Sequence, residues 1–183
     1  MAPAGQVTGS DLRAMLTDGA LAGSWTLDAS RSSISLQSKS VCGLVPVKGS
    51  FREIAGTGTV SPDGQVSGTI TVAAASVDTK NAKRDAHLRS AEFFDADAHP
   101  DITVRVEGLA PVSQGVTGTG TLTVRDRTRP LTFGATVSAV DTGEIWLDAE
   151  VQVDRADFGM IWSPMHMASM DNTITIHAVF THS

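Results

Sequence analysis

The chain holds one cysteine, Cys42, among its 183 residues. That excludes an internal disulfide framework and a zinc site built from four cysteines. It also lacks any excess of positive charge, since 14 Lys and Arg stand against 20 Asp and Glu for a formal net charge of −6. Nucleic acid is therefore not an expected partner, because a phosphate backbone calls for a basic face. Adsorption to an anionic membrane surface is disfavoured for the same reason. No run of about eighteen consecutive apolar residues occurs, so no integral membrane segment is expected. The stretch from Met1 to Ser10 carries neither a basic nor an apolar leader region. With residue 1 as the start, a cytoplasmic protein is expected. The signatures G-x-S-x-G, H-E-x-x-H and the phosphate-binding loop are missing. Gly56-x-Gly58 and Gly118-x-Gly120 lie in strand-like sequence and open no helix.

What the chain does have is alternation. Ile34 and Leu36 alternate with serines, and Val66, Ile70 and Val72 with Ser67, Thr69 and Thr71. Ile102, Val104 and Val106 repeat the pattern, as do Leu122 and Val124 among threonines. Ile145, Leu147, Ala149, Val151 and Val153 form a longer series, and Ile174, Ile176, Ala178 and Phe180 close the chain. One greasy and one wet face per run mark half-buried antiparallel strands, about nine or ten of them. Breaks such as Ser61-Pro62-Asp63-Gly64 and Asp141-Thr142-Gly143 separate some runs. Glycines inside the strands suit the sharp coiling of a closing barrel.

Two segments read as helices. Ser10 can cap a short one in which Leu12, Met15 and Leu16 share a face and Gly19 is the stop. The second runs from about Asn81 to Ser90, is mostly polar, and should lie on the surface. No linker or long repeat interrupts the chain. The expected architecture is all-β: a lipocalin-like extended antiparallel barrel over 23–183, preceded by an N-terminal extension with a short helix over 1–22.

The stretch Arg84-Asp-Ala-His-Leu-Arg-Ser-Ala-Glu-Phe-Phe-Asp95, followed by His99-Pro-Asp-Ile102, resembles the signature of the YceI-like family of lipocalin-like polyisoprenoid-binding proteins. Trp25-Thr-Leu-Asp28, Val47-Lys-Gly-Ser-Phe51, Leu122 to Leu131, and Asp154-Arg-Ala-Asp-Phe-Gly-Met160 match further family segments in the same order. The resemblance covers roughly 23–182. It implies a long barrel around an elongated apolar cavity that holds an isoprenoid chain or similar lipid. Arg31 and Ser40 stand where many relatives carry histidine, so no metal or head-group role is expected there.

The candidate ligand contacts are the inward members of the alternating runs: Ile34, Leu36, Ile70, Val72, Val104, Leu122, Leu147, Val151, Ile176 and Phe180. Phe51 and Phe133 join them from the motif-bearing strands. Phe93 and Phe94 line the pocket mouth, or one of the rings anchors the helix to the wall. Met160 and Trp162, with Met165, Met167 and Met170, form either an adaptable lid or a plain end cap. Ala74, Gly118, Gly120, Ala135 and Ala149 are expected to underfill the interior.

The remaining candidates favour bland readings. His166 reads as structural, and His177 and His182 point to opposite faces of one strand. Asp85 and Arg89, four apart, share a face and are expected to brace the second helix against the strands, and Cys42 reads as a small hydrophobe. No catalytic residue, metal ligand or cofactor is expected, beyond a bound isoprenoid or quinone-like lipid as ligand. The leading expectation is thus a lipid-binding protein, not an enzyme, for carriage or storage, as a monomer or homodimer. The alternatives are an enzyme acting on an apolar substrate within the barrel, or a stress-linked interaction protein with a filled core.

Overall fold

Residues 5–40, 45–141, 143–161 and 170–183 are described in the computed structural model. The alternating runs become eleven strand segments. These are β1 (Gly23–Leu27), β2 (Ser33–Ser40), β3 (Val45–Phe51), β4 (Ile54–Val60), β5 (Val66–Ala73) and β6 (Val77–Asp78). Then follow β7 (Asp101–Pro111), β8 (Val116–Val124), β9 (Arg127–Asp141), β10 (Glu144–Asp154) and β11 (Asp171–His182).

Several of these segments are halves of one bent strand. β1 and β2 lie end to end along the same edge of β11, with Leu27 opposite Phe180 and Ser33 opposite His177. The bend between them is an Asx turn, in which Asp28 Oδ1 accepts from Ser30 N at 3.0 Å and Ser30 Oγ at 2.6 Å. β3 and β4 continue one another in the same way, as do β5 and β6, which are separated by a 3-10 turn at Ala74–Ser76. Counted so, the sheet is a closed antiparallel barrel of eight strands, each paired to its neighbour in sequence and shut by β1 on β11. Register sets the inward residues side by side: Ile34 faces Phe51, Ile70 faces Val104, Val104 faces Leu122, and Ala149 faces Ile176. A bulge between Val106 and Gly108 shifts the phase of β7 by one residue, so Leu109 continues the inner face.

Helix α1 (Gly9–Thr17) covers one end of the barrel. Its cap is Thr8, not Ser10: Thr8 is extended and its hydroxyl accepts from Asp11 N at 3.2 Å, while Ser10 already lies inside the helix. Gly9 is pressed against the Val112 carbonyl, where a Cβ would collide, and Arg13 Nη2 donates to Pro111 O at 3.1 Å. Leu12, Leu16 and Leu21 are buried with Trp25, whose Nε1 donates to Leu21 O at 2.9 Å.

Helix α2 (Ala82–Arg89) is inserted between β6 and β7 at the opposite end, capped by Asn81. One face of it is exposed, and the other forms part of the interior wall. A second core gathers there around Val77, Phe94, Leu122, Phe158 and Met160.

Candidate ligand-binding site

The lumen holds two chambers. The narrower, of about 150 Å³, lies under α1 and exposes no polar atom to its interior. The wider, of about 300 Å³, lies toward α2. Ile70, Val104, Leu131, Val151 and Ile176 line both, so these five side chains form a waist between the two.

The wide chamber takes Ile34, Leu36, Phe51, Val72, Leu122 and Met160, together with Phe93 and Phe94. The narrow one takes Phe133, Leu147 and Phe180. Inner-face alternation placed Ile34, Leu36, Val72, Leu122, Leu147 and Phe180, because period two is rigid within a strand, whereas the other five came from the family-like motifs and the segments beside them. Leu122 and Val124 are buried while Thr121 and Thr123 are only half-buried. Thr69, expected on the wet face, nevertheless borders the narrow chamber. The inward positions near it are Gly56, Gly58 and Gly68, which carry no side chain, so the chamber reaches the strand itself. Trp162, with Met165, His166 and Met167, lies outside the described residues, as does Cys42.

Two of the small residues do not underfill the interior. The space beside Gly118 is taken by the ring of Phe133, and Gly120 abuts the backbone of Arg105 near the bulge. Ala135 and Ala149 do face the narrow chamber, and Ala74 is fully buried in the second core.

Polar groups line the wide chamber more richly than alternation suggested: Ser38, Thr79, Arg84, His87, Arg155 and Asn172. Asn172 and Ser38 carried a usable signal, since each shares the parity of an inward series. Arg155 also shares it, one step beyond Val153, although it already lies in the 3-10 turn Arg155–Phe158. Its Nη1 donates to Met160 O at 2.6 Å, its guanidinium lies 5.4 Å from the Phe93 ring centre, and burial pushes its pKa below the usual value. The Phe93 and His87 rings also stand nearly perpendicular, with their centres 5.1 Å apart.

Asp85 and Arg89 do tie the helix down, each to the segment just before it rather than to a strand. Buried Asp85 accepts from Thr79 N at 2.8 Å and Thr79 Oγ1 at 2.6 Å, and Arg89 Nε donates to Ala75 O at 3.0 Å. The helix is pinned to the preceding loop, which offers Asp85 donors that an exposed i,i+4 partner cannot match. Arg84 completes this knot through Thr79 Oγ1 at 2.9 Å and Thr79 O at 3.0 Å. His87 turns to Glu92.

The outer wall carries the remaining polar pairs. Arg31 bridges Asp28 at 2.8 Å and Glu144 at 3.0 Å, away from both chambers. His177 binds Asp148 at 2.6 Å beside Trp146, whereas His182 turns to Trp25 and Ala22 O, so the two histidines do face opposite ways. Among the described residues no group of three or more His, Cys, Asp or Glu is placed to hold a metal ion, and no helix is long and apolar enough to cross a membrane.

The lumen and its α2-side polar edge belong to a known class of barrel. The YceI-like domain matches residues 25–181, and the chain belongs to that family. It is 30% identical over 118 residues to the UPF0312 protein SA2479 of Staphylococcus aureus strain N315, a match that spans 63% of this chain and 66% of that relative. The chain thus matches just under two thirds of that relative's length. Among solved structures, BcnA of Burkholderia cenocepacia superposes with a TM-score of 0.76 at 22% identity, over 84% of this chain and 98% of that one. A polyisoprenoid-binding domain from Saccharophagus degradans, implicated in plant cell wall breakdown, gives 0.71 at 15% identity over 87% and 98%. At these identities the structural likeness establishes the fold. Helix α1 lies outside the family match.

Proposed function

We propose that the barrel binds a single long apolar molecule of the isoprenoid or quinone-tail class along its lumen, for carriage or storage. The observation that carries this reading is the pair of apolar chambers joined at a waist of five aliphatic side chains. Enclosing about ten tail carbons contributes roughly 8 kcal/mol before the costs of immobilisation. A chain long enough to fill both chambers does better. The ligand ascribed to the Saccharophagus neighbour points the same way.

The polar edge by α2 fits a head group that is solvated rather than gripped. Arg84 and Asp85 spend their bonds on Thr79, which braces the helix, and the carboxylate that His87 meets is that of exposed Glu92. A filled-core interaction protein is disfavoured by the chambers themselves. Purified protein extracted with organic solvent should release a prenyl lipid detectable by mass spectrometry. Extracts holding only bulk membrane lipids in ordinary proportions, together with no uptake of added prenyl alcohols, would overturn the reading.

A further inference from the structure

The lumen is apolar throughout but carries its charged and amide side chains at one end only. Ser38, Thr79, Arg84, His87, Arg155 and Asn172 line the wide chamber, whereas the polar residues bordering the narrow one, Thr57, Thr59, Ser67 and Thr69, turn no polar atom into it. An amphipathic chain held there is oriented by this gradient, since a hydroxyl or larger polar head loses hydrogen bonds with water if it enters the narrow chamber. Its head faces α2 and its tail passes the waist toward α1.

What the tail meets there is a helix that the family match does not include. Leu12 and Leu16 of α1 are 5% and 7% exposed, and both line the narrow chamber. The helix is fixed at both ends. Val7 N donates to Val137 O at 2.9 Å, Gly9 is packed on the Val112 carbonyl, and Arg13 is bonded to Pro111 O. At its other end, Gly64 of the β4–β5 turn sits so close to Leu16 that a Cβ there would lie 3.0 Å from the Leu16 carbonyl. A part so tied is a floor.

We propose that α1 is the molecular ruler of this barrel: Leu12 and Leu16 stop the tail and so set the longest apolar chain that gains from enclosure. This rests on the apolar-ligand reading above. Affinity then climbs with each added isoprene until the tail touches Leu16, and levels off beyond that length because further carbons stay in water.

The test uses the full chain and four free alcohols of increasing length: farnesol, geranylgeraniol, farnesylgeraniol and solanesol. Leu16→Trp raises the floor, and Leu12→Ala with Leu16→Ala lowers it. Melting and far-UV circular dichroism check that each variant is folded. For Leu16→Trp the plateau should move to a shorter alcohol, with the longest alcohols weakened about tenfold more than farnesol. The double alanine variant should move the plateau to a longer alcohol. A change equal for all four alcohols, or no change, overturns the ruler while leaving the apolar-ligand reading intact. Failure of the unmodified protein to bind any of the four overturns both.

Discussion

Gly118 and Phe133 face each other across β8 and β9, and the Phe133 ring occupies the place where a side chain at 118 would stand. The ring reaches the lumen by lying over a residue that has no side chain. Gly118→Ala must drive the ring out of that seat. The expected cost is about 1–3 kcal/mol, typical of overpacking. Gly134, next to Phe133 in the same strand, has nothing within 4 Å of a built Cβ and an ordinary backbone angle. Gly134→Ala should be neutral or stabilise by up to about 1 kcal/mol, through the unfolded state. Urea melts of the two variants check the contrast, and a shared sign would refute it.

Leu122 and Val72 both line the wide chamber and are 4% and 5% exposed. Replacing either with Trp should block lipid co-purification and leave a folded barrel. Arg31→Ala should leave lipid content unchanged, because Arg31 serves only its surface pairs with Asp28 and Glu144, worth about 0–1 kcal/mol each. Lipid extracted per mole of protein is the readout. If Arg31→Ala empties the barrel and Leu122→Trp does not, the binding site is outside the lumen.

Asp85→Ala removes the acceptor of both Thr79 bonds in a buried setting and should cost about 2–3 kcal/mol. Asp85→Asn retains the oxygen and should cost less. Arg89→Ala loses only the bond to Ala75 O, worth about 1 kcal/mol. Since Asp85 and Arg89 share no bond, the double variant should be additive within about 0.5 kcal/mol. Denaturant titration tests this, and a larger coupling would mean that the two side chains interact directly.

Two carboxylates should govern acid stability. The Ser30 hydroxyl, then Arg31, hold Asp28 down to about 2. The Lys80 backbone N–H, then the Lys80 ammonium and Arg52, hold Asp78 well below the ordinary carboxylate range. A depressed folded pKa stabilises the fold fully above the unfolded value of about 3.9 and is lost as pH falls toward the folded one. Melting temperature should therefore drop between about pH 4 and 2 for Asp28, and further down for Asp78. Asp28→Asn and Asp78→Asn should each flatten that acid limb in calorimetric scans. Profiles parallel to the parent would refute both assignments.

Much of the lumen was legible because strand parity is local. Once Ile70 and Val72 are on one face, their neighbours are on the other, and only the sense of "inward" has to be chosen. The Leu12 and Leu16 spacing gave α1 as a helix for the same reason. That α1 closes the lumen could not be read, because its clamp comes from Pro111, Val112 and Val137, far along the chain. Asp85 and Arg89 tie the helix down as their shared face suggested, but helical spacing could not name their partners, Thr79 and Ala75 O, on the segment before it. Arg155 continues the odd parity of Ile145 to Val153, but parity alone does not say that the series still lines the lumen once β10 has ended at Asp154.

The seam of the ring joins Trp25–Leu27 to Phe180–His182, so the wall is finished by two strands almost the full domain apart. During synthesis the partly made sheet has open edges, and its lumen side, rich in valine and isoleucine, stays uncovered until β11 emerges. Such distant pairing is slow to form, and unpaired edges with bare apolar faces are what aggregation and chaperones act upon. Truncations before β11 should therefore partition to inclusion bodies or remain chaperone-bound, which makes the nascent barrel, more than the completed one, the vulnerable species in the life of this protein.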